Sequence, residues 1–299
     1  MPVIIRKEET DFINKNPPIT FPYELDIFQK NAINAIEEDE HVFVAAPTSA
    51  GKSTVAEYAI AKAISEDKKV IYTSPIKTLS NQKYYDFRQR YDSVGILTGD
   101  IKENPDAQCL VMTTEILRNM LFRGNDMLKD IKYVIFDEIH YINDKDRGHV
   151  WEETITLLPN DILIVMLSAT VANSYDFANW IASIKTKNVT LVETNHRPVP
   201  LCHYFYFSKK LNQIMNSTYN FDKKMYSDIY HKLKTYQRDQ IHQLNTFVEF
   251  LSKKKLFPSI FFSFSRINCE KYASKILKKL VTHEEETEIN KIFKKYING

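Results

Sequence analysis

The sequence predicts an α/β fold with a mostly parallel, doubly wound sheet, and three observations carry that prediction. Short, unbroken apolar runs recur between residues 41 and 193, helix-length stretches separate them, and one strand-to-helix junction carries the loop Ala46-Pro47-Thr48-Ser49-Ala50-Gly51-Lys52-Ser53. Runs this short and continuous mark strands buried on both faces. Their alternation with helices marks repeated βα units.

Taken in order, residues 1–22 contain Pro17, Pro18 and Pro22 without a sustained period, and read as an extended N-terminal lead-in. The fold starts near Tyr23, with a helix over 27–37 whose apolar positions are Ile27, Phe28, Ile33 and Ile36. Strands are expected at 41–46, 69–74, 93–98, 109–114, 132–138, 162–169 and 188–193. Helices are expected over 52–66, 77–91, 114–123, 149–158 and 173–184, which makes residues 23–200 one domain. After Arg197-Pro198-Val199-Pro200 the style changes: 201–207 reads as an extended connector and 208–238 is rich in Lys, Tyr and Asn without an apolar face, so 201–238 is expected to be a linker. Order resumes over 239–299 with a helix through Ile241, Leu244, Phe247, Val248 and Leu251, a strand at 258–264, and a helix carrying Cys269, Tyr272, Ala273, Ile276 and Leu280. A last helix starts at Thr282, whose hydroxyl and Glu285 fit a capping box, and runs through Ile289, Ile292, Phe293 and Ile297.

Composition excludes whole classes. With 43% hydrophobic and 26% charged residues, a chain of 299 residues can bury a core and is not disordered. No apolar run approaches the roughly 18 residues a membrane span needs, and the charged start MPVIIRKEETDF does not resemble a signal peptide, so an intracellular protein with no membrane partner is expected. Cys109, Cys202 and Cys269 are widely spaced and form no CxxC pair, which argues against a disulfide framework or a cysteine zinc site. His140 and His149 have no metal-ligand spacing with any of them. The net charge of +2 is uneven, with 18 basic and 9 acidic residues from residue 203 onward. Such a tail suits either a polyanion or a solvated helical surface.

The loop 46–53 has the form of a P-loop whose first glycine is alanine. Its backbone N–H groups and the following helix N-terminus suit nucleotide phosphates, Lys52 suits the β and γ phosphates, and the Ser53 hydroxyl suits Mg²⁺. The expected nucleotide-binding set is Ala46 to Ser53 with Thr54, and the expected cofactors are a nucleotide and Mg²⁺. Asp137-Glu138-Ile139-His140 ends the YVIF run. Carboxylates at the C-terminal end of a buried strand sit where open α/β sheets bind ligands. Asp137 is expected to hold Mg²⁺ and Glu138 to orient the attacking water, so Lys52, Asp137 and Glu138 form the catalytic set.

In this order, with Ser168-Ala169-Thr170 after the next run, the motifs resemble those of superfamily 2 helicases. Longer strings narrow the resemblance: TSPIKTLSNQK (73–83), TGD (98–100), MTTEIL (112–117), DRGHVWEE (146–153) and FSFSR (262–266) are similar to the superkiller and exosome-cofactor type of DExH-box RNA helicase, over nearly the whole chain. The resemblance implies a RecA-like P-loop domain followed by the start of a second one in 239–299. It implies that Gln29 reads the adenine edge with Phe28 against the base, and that His140 and the Ser168, Ala169 and Thr170 group couple the acidic strand to the rest of the machine. Pro75, Lys77 and Ser80, then Thr98, Gly99 and Asp100, then Thr113, Thr114 and Glu115, and finally Ser263 and Ser265 match RNA-contacting motifs. Phe264, Trp151 and Trp180 are expected in the core.

The implied activity is ATP-driven 3′ to 5′ unwinding of single-stranded or 3′-overhanging RNA, with an RNA-degrading exosome and its adaptors as partners. The late arginine-finger motif is not found: no arginine follows Arg266, and no glycine lies between Gly148 and Gly299. The expectation is therefore a chain incomplete as a helicase. The alternatives are a non-unwinding ATP- or RNA-binding or partner-docking protein that functions as the short chain, and a DNA or spliceosomal helicase of the same superfamily.

Overall fold

A computed structural model describes residues 2–8, 10–124, 128–234 and 239–297, and side chains over the same spans except that of Lys234. Residues 235–238 of the expected linker, and Met1, Glu9, Asn298 and Gly299 at or near the termini, lie outside the described residues. The chain forms two compact units, Met1–Val199 and Pro200–Gly299.

The first unit is built on a nine-stranded sheet with spatial order β1-β9-β2-β8-β7-β3-β6-β4-β5. Its strands are β1 (Val3–Arg6), β2 (His41–Ala45), β3 (Lys69–Ser74), β4 (Val94–Leu97), β5 (Lys102–Glu103), β6 (Cys109–Thr113), β7 (Ile131–Phe136), β8 (Leu163–Ser168) and β9 (Val189–Glu193). All neighbours are parallel except β4 and β5. Helices α1 (Ile27–Glu37), α2 (Ser53–Ser65), α3 (Lys77–Arg88), α4 (Thr114–Phe122), α5 (Gly148–Leu157) and α6 (Ser174–Ile184) cover it.

Strand alternation divides the core into two layers. Val42, Val44, Tyr133, Ile135, Val165 and Leu167 face one side and pack with α1, α2 and α3 through Ile33, Tyr58 and Phe87. Phe43, Val134, Phe136, Ile164 and Met166 face the other and pack with α4, α5 and α6 through Leu117, Trp151 and Ile181. Every residue of β2, β6 and β8 is buried, which is why these strands read as continuous apolar runs rather than alternating ones.

The expected lead-in is more than extended chain. Val3–Arg6 pairs in parallel with Val189–Val192 and adds an edge strand, while Thr10 and Asn31 share a side-chain hydrogen bond of 2.7 Å. The N-terminal segment is thus part of the first unit.

In the second unit, the expected linker is structured. β10 (His203–Phe207) and β11 (Lys210–Met215) form an antiparallel hairpin, followed by α7 (Lys223–Lys234). Tyr206 packs against Phe247 and Phe250 of α8 (Gln240–Lys253), with ring centroids 4.4 and 5.1 Å apart. α9 (Arg266–Ala273) and α10 (His283–Ile297) complete the unit, and α9 stops well before Leu280. The Thr282 capping box is present: Glu285 Oε2 accepts from Thr282 N at 2.7 Å, and Glu285 N donates to Thr282 Oγ1 at 3.3 Å.

Residues 258–264 are not a strand, because nothing among the described residues pairs with them. Phe264 is not in the core either: its side chain is fully exposed. Trp151 is buried as expected, and Trp180 packs partly buried against the same layer.

Candidate functional site

Along the carboxyl edge of the sheet, three adjacent strands carry the first set of motifs. β2 runs into residues 46–53, β7 into Asp137 and Glu138, and β8, between them, into Ala169 and Thr170. Three further neighbours, β3, β6 and β4, lead into Pro75, Thr114 and Thr98. One edge therefore holds two groups of loops side by side.

The loop 46–53 is held by its own backbone and by α1. Ala46 N donates to Ser168 O at 3.1 Å, and Ala50 N donates to Pro47 O at 3.2 Å. Gly51 has φ +94°, and a Cβ there would lie 2.6 Å from Gln29 Nε2. Glycine is required on both counts, conformation and space. Thr48 and Ser49 are exposed at the loop tip.

Gln29 is nearly fully buried. Its Nε2 donates to Gly51 O at 3.0 Å and to Thr54 Oγ1 at 3.3 Å, while its Oε1 accepts from Asp26 N at 2.9 Å. Tyr23 Oη shares a 2.9 Å hydrogen bond with Thr54 Oγ1. In this structure Gln29 fastens α1 to the loop. Phe28 sits in the core layer and lines a pocket of about 220 Å³ with Asp26, Ile27, Ala50, Thr194 and His196.

Lys52 Nζ donates to the carbonyls of Ala46 at 2.9 Å and Pro47 at 3.1 Å. Burial holds its pKa below the usual lysine value, although the nearby Glu138 and Asp137 oppose that shift. Ser53, the first residue of α2, accepts from Lys83 Nζ through Oγ at 3.1 Å.

Asp137 is fixed at both oxygens: Oδ2 accepts from the fully buried Tyr72 hydroxyl at 2.5 Å, and Oδ1 accepts from Glu138 N at 3.0 Å. Burial and the Asp137 carboxylate raise the Tyr72 pKa well above its usual value, so Tyr72 stays a donor. Glu138 adopts a left-handed backbone (φ 53°, ψ 46°), rare for a residue with a side chain. Such strain clusters at functional sites, and here it turns the chain sharply out of β7. Burial and the Asp137 charge raise the Glu138 pKa, opposed by His140, Lys52 and Lys83. A carboxylate so placed is a better proton acceptor than a free one.

The hard oxygen donors Ser53 Oγ and Asp137 fit Mg²⁺, which keeps part of its water shell and takes few protein ligands. Among the described residues no group of three or more His, Cys, Asp or Glu is arranged to hold a metal without phosphates.

His140 links the acidic strand to the next one. Its Nδ1 accepts from Ala169 N at 3.5 Å and lies 3.4 Å from Glu138 Oε2, so one ring nitrogen faces both groups. The Ser168 hydroxyl is buried without a hydrogen-bond partner and Thr170 is exposed, so the link runs through the Ala169 backbone.

The second group of loops is braced rather than open. Lys77 and Asp100 form an ion pair of 2.6 Å beside Gly99, whose Cβ would meet Lys77 Nζ at 3.1 Å. Thr98 Oγ1 accepts from Ile101 N at 3.2 Å and shapes the turn. Ser80 is buried, with its hydroxyl 2.8 Å from Ser74 Oγ, and Thr113 and Thr114 are buried at the start of α4. These three support the loops from within. Pro75 O accepts from Arg147 Nη2 at 2.7 Å, and Glu115 Oε1 accepts from Arg147 Nε at 3.1 Å. In the second unit, Ser265 caps α9 by accepting from Asn268 N at 3.4 Å, and Ser263 Oγ accepts from Ser265 N at 3.4 Å.

Sequence reasoning missed Tyr72, Lys83 and Arg147. The last two lie inside quoted strings, but only the fold shows what they touch.

Residues 26–177 match the DEAD/DEAH box helicase family. Among curated proteins, the chain is 53% identical over 216 residues to the Antiviral helicase SKI2 of Saccharomyces cerevisiae, covering 72% of this chain and 17% of that one. It is 42% identical over 299 residues to the Superkiller complex protein 2 of Homo sapiens (92% and 24% covered). It is 41% identical over 307 residues to the ATP-dependent RNA helicase mtr4 of Schizosaccharomyces pombe (94% and 28% covered). The chain thus spans about a quarter of the length of these relatives, or less. Among solved structures, the DUF1998 helicase MrfA superposes with a TM-score of 0.60 at 18% identity, covering 92% of this chain and 39% of that one, a likeness of fold. No helix among the described residues is long and apolar enough to cross a membrane.

Proposed function

The chain belongs to the DEAD/DEAH box helicase family, with Ski2- and Mtr4-type RNA helicases as its relatives, and from that premise we propose that it is the ATP-binding part of an RNA helicase. The observation that carries the reading is the adjacency of the ends of β2, β8 and β7, joined by the Ala169–His140 contact.

In this reading the backbone amides of residues 46–51 and Lys52 cradle the phosphates, and Lys52 exchanges its carbonyl partners for phosphate oxygens. Ser53 and Asp137 would hold Mg²⁺, which when bound would supply charge neutralisation at the phosphates. Tyr72 holds Asp137 in place, and Glu138 orients the attacking water. Lys77, Thr98, Gly99, Asp100 and Glu115, with Pro75 fixed by Arg147, present the loop edge to an RNA backbone without choosing a base sequence. Unwinding runs 3′ to 5′ on RNA destined for a degradation machine of the exosome type, as the superkiller resemblance implies. Arg266 is the last arginine of the sequence, so these 299 residues supply no late arginine finger and by themselves turn ATP over slowly.

The test is ATP hydrolysis by the purified chain with and without poly-U or poly-dT. Slow hydrolysis, with binding to poly-U over poly-dT, is expected. Vigorous RNA-stimulated turnover would overturn the need for an external finger, and preference for poly-dT would favour a DNA helicase.

A further inference from the structure

Lys83 lies on α3, one turn before Phe87, with its ammonium 6.0 Å from that ring's centroid. The side chain is half-buried and reaches across to α2, where it donates to Ser53 Oγ at 3.1 Å. Its charge is also felt at the carboxyl of Glu138. The other lysine near the acidic pair, Lys52, spends its donors on the carbonyls of Ala46 and Pro47. Lys83 is therefore the ammonium hydrogen-bonded to the hydroxyl assigned to the metal.

We propose that Lys83 is a tethered counter-ion that competes with Mg²⁺ for the Ser53 hydroxyl and so sets the metal affinity of the nucleotide site. This rests on the reading of Ser53 and Asp137 as the metal-holding residues. The Ser53 oxygen offers its lone pairs either to an ammonium or to a divalent cation. Two cations crowded around one oxygen in a half-buried pocket repel each other with little solvent screening. Lysine suits the role because its charge rides on a flexible four-carbon stem that can withdraw to solvent. Until the metal arrives, the same ammonium offsets the repulsion between Asp137 and Glu138.

The experiment titrates Mg²⁺ into the full chain with the fluorescent probe N-methylanthraniloyl-ADP, which reads binding rather than turnover. Lys83→Met is expected to lower the Mg²⁺ concentration at half-maximal effect by about three- to tenfold, the scale of one partly exposed charge-assisted hydrogen bond. Lys83→Arg should stay near wild type, and Lys83→Gln should shift in the same direction as Met, which covers a folding defect in either variant alone. Ser53→Ala should raise the metal requirement with Lys83 present or replaced. An unchanged or raised metal requirement in both Lys83→Met and Lys83→Gln, with Ser53→Ala still impaired, overturns the role of Lys83 alone. If Ser53→Ala changes nothing, the metal-site reading itself falls, and this inference with it.

Discussion

The two compact units bury their apolar residues very differently. In Met1–Val199 whole strands are enclosed on both faces, whereas among the described residues of Pro200–Gly299 only Ile229, Val248 and Leu251 are buried hydrophobics. Ile260 is 80% exposed, Phe262 is 91% exposed, and Phe264 is fully exposed. The contrast teaches that a strand-like sequence is not enough to make a strand. PSIFFSF has the composition of β2 or β8, but those strands lie between neighbours that satisfy their backbone groups, and 258–264 has none among the described residues. An isolated extended segment gains no ladder and stays irregular.

The contrast predicts that substitutions cost stability by unit. Trp151→Ala, at a completely buried side chain of α5 in the layer that holds Leu117 and Ile181, should lower the unfolding free energy by about 3–5 kcal/mol in chemical denaturation. A loss under about 1 kcal/mol would mean that this layer is loosely packed.

Acid should weaken the first unit next. His41 Nδ1 accepts from Ile164 N at 3.1 Å, and burial, with Lys185 and Lys187 nearby, holds its pKa down to about 4. The unfolded chain takes up this proton near the ordinary value of 6.5, while the folded chain resists until about 4. Stability is thus complete above pH 6.5 and is lost as the pH falls from 6.5 to 4, by about 3 kcal/mol from this group. Denaturation midpoints across that window should fall less steeply in His41→Asn, and equal slopes would remove His41 as the cause.

Smaller effects belong to the second unit. Thr282→Ala removes the capping hydroxyl and should cost about 1 kcal/mol of α10 helicity or stability, visible by circular dichroism. Phe264→Ser should change the unfolding free energy by less than about 0.5 kcal/mol in chemical denaturation. A large destabilisation there would show that Phe264 is buried in solution and would break the contrast.

How legible all this was in the sequence depended on the range of the interactions. The interior strands and α1 to α6 were legible because burial on both sheet faces writes continuous apolar runs, and because the loop 46–53 and the acidic pair are local strings. β1 was hidden, since four residues with one exposed member gain meaning only beside β9 at the far end of the unit. The β10–β11 hairpin was hidden because its turn, Ser208-Lys209, takes φ values of 52° and 59° without the Asn-Gly signal that usually announces them. Within the site, Tyr72 and Asp137 meet across 65 residues of sequence, and Lys83 meets Ser53 across 30. Such pairs follow from strand order and helix placement, which no local pattern records.

The central claim is that residues 46–53 and the acidic pair form one working nucleotide site. Its most direct test is ATP binding in Mg²⁺, by calorimetry, for wild type, Glu138→Gln and Lys52→Ala. The account predicts that wild type and Glu138→Gln bind alike, because Glu138 acts on water, while Lys52→Ala binds at least about tenfold more weakly, having lost a charge-assisted phosphate contact. Equal affinity in all three would contradict it.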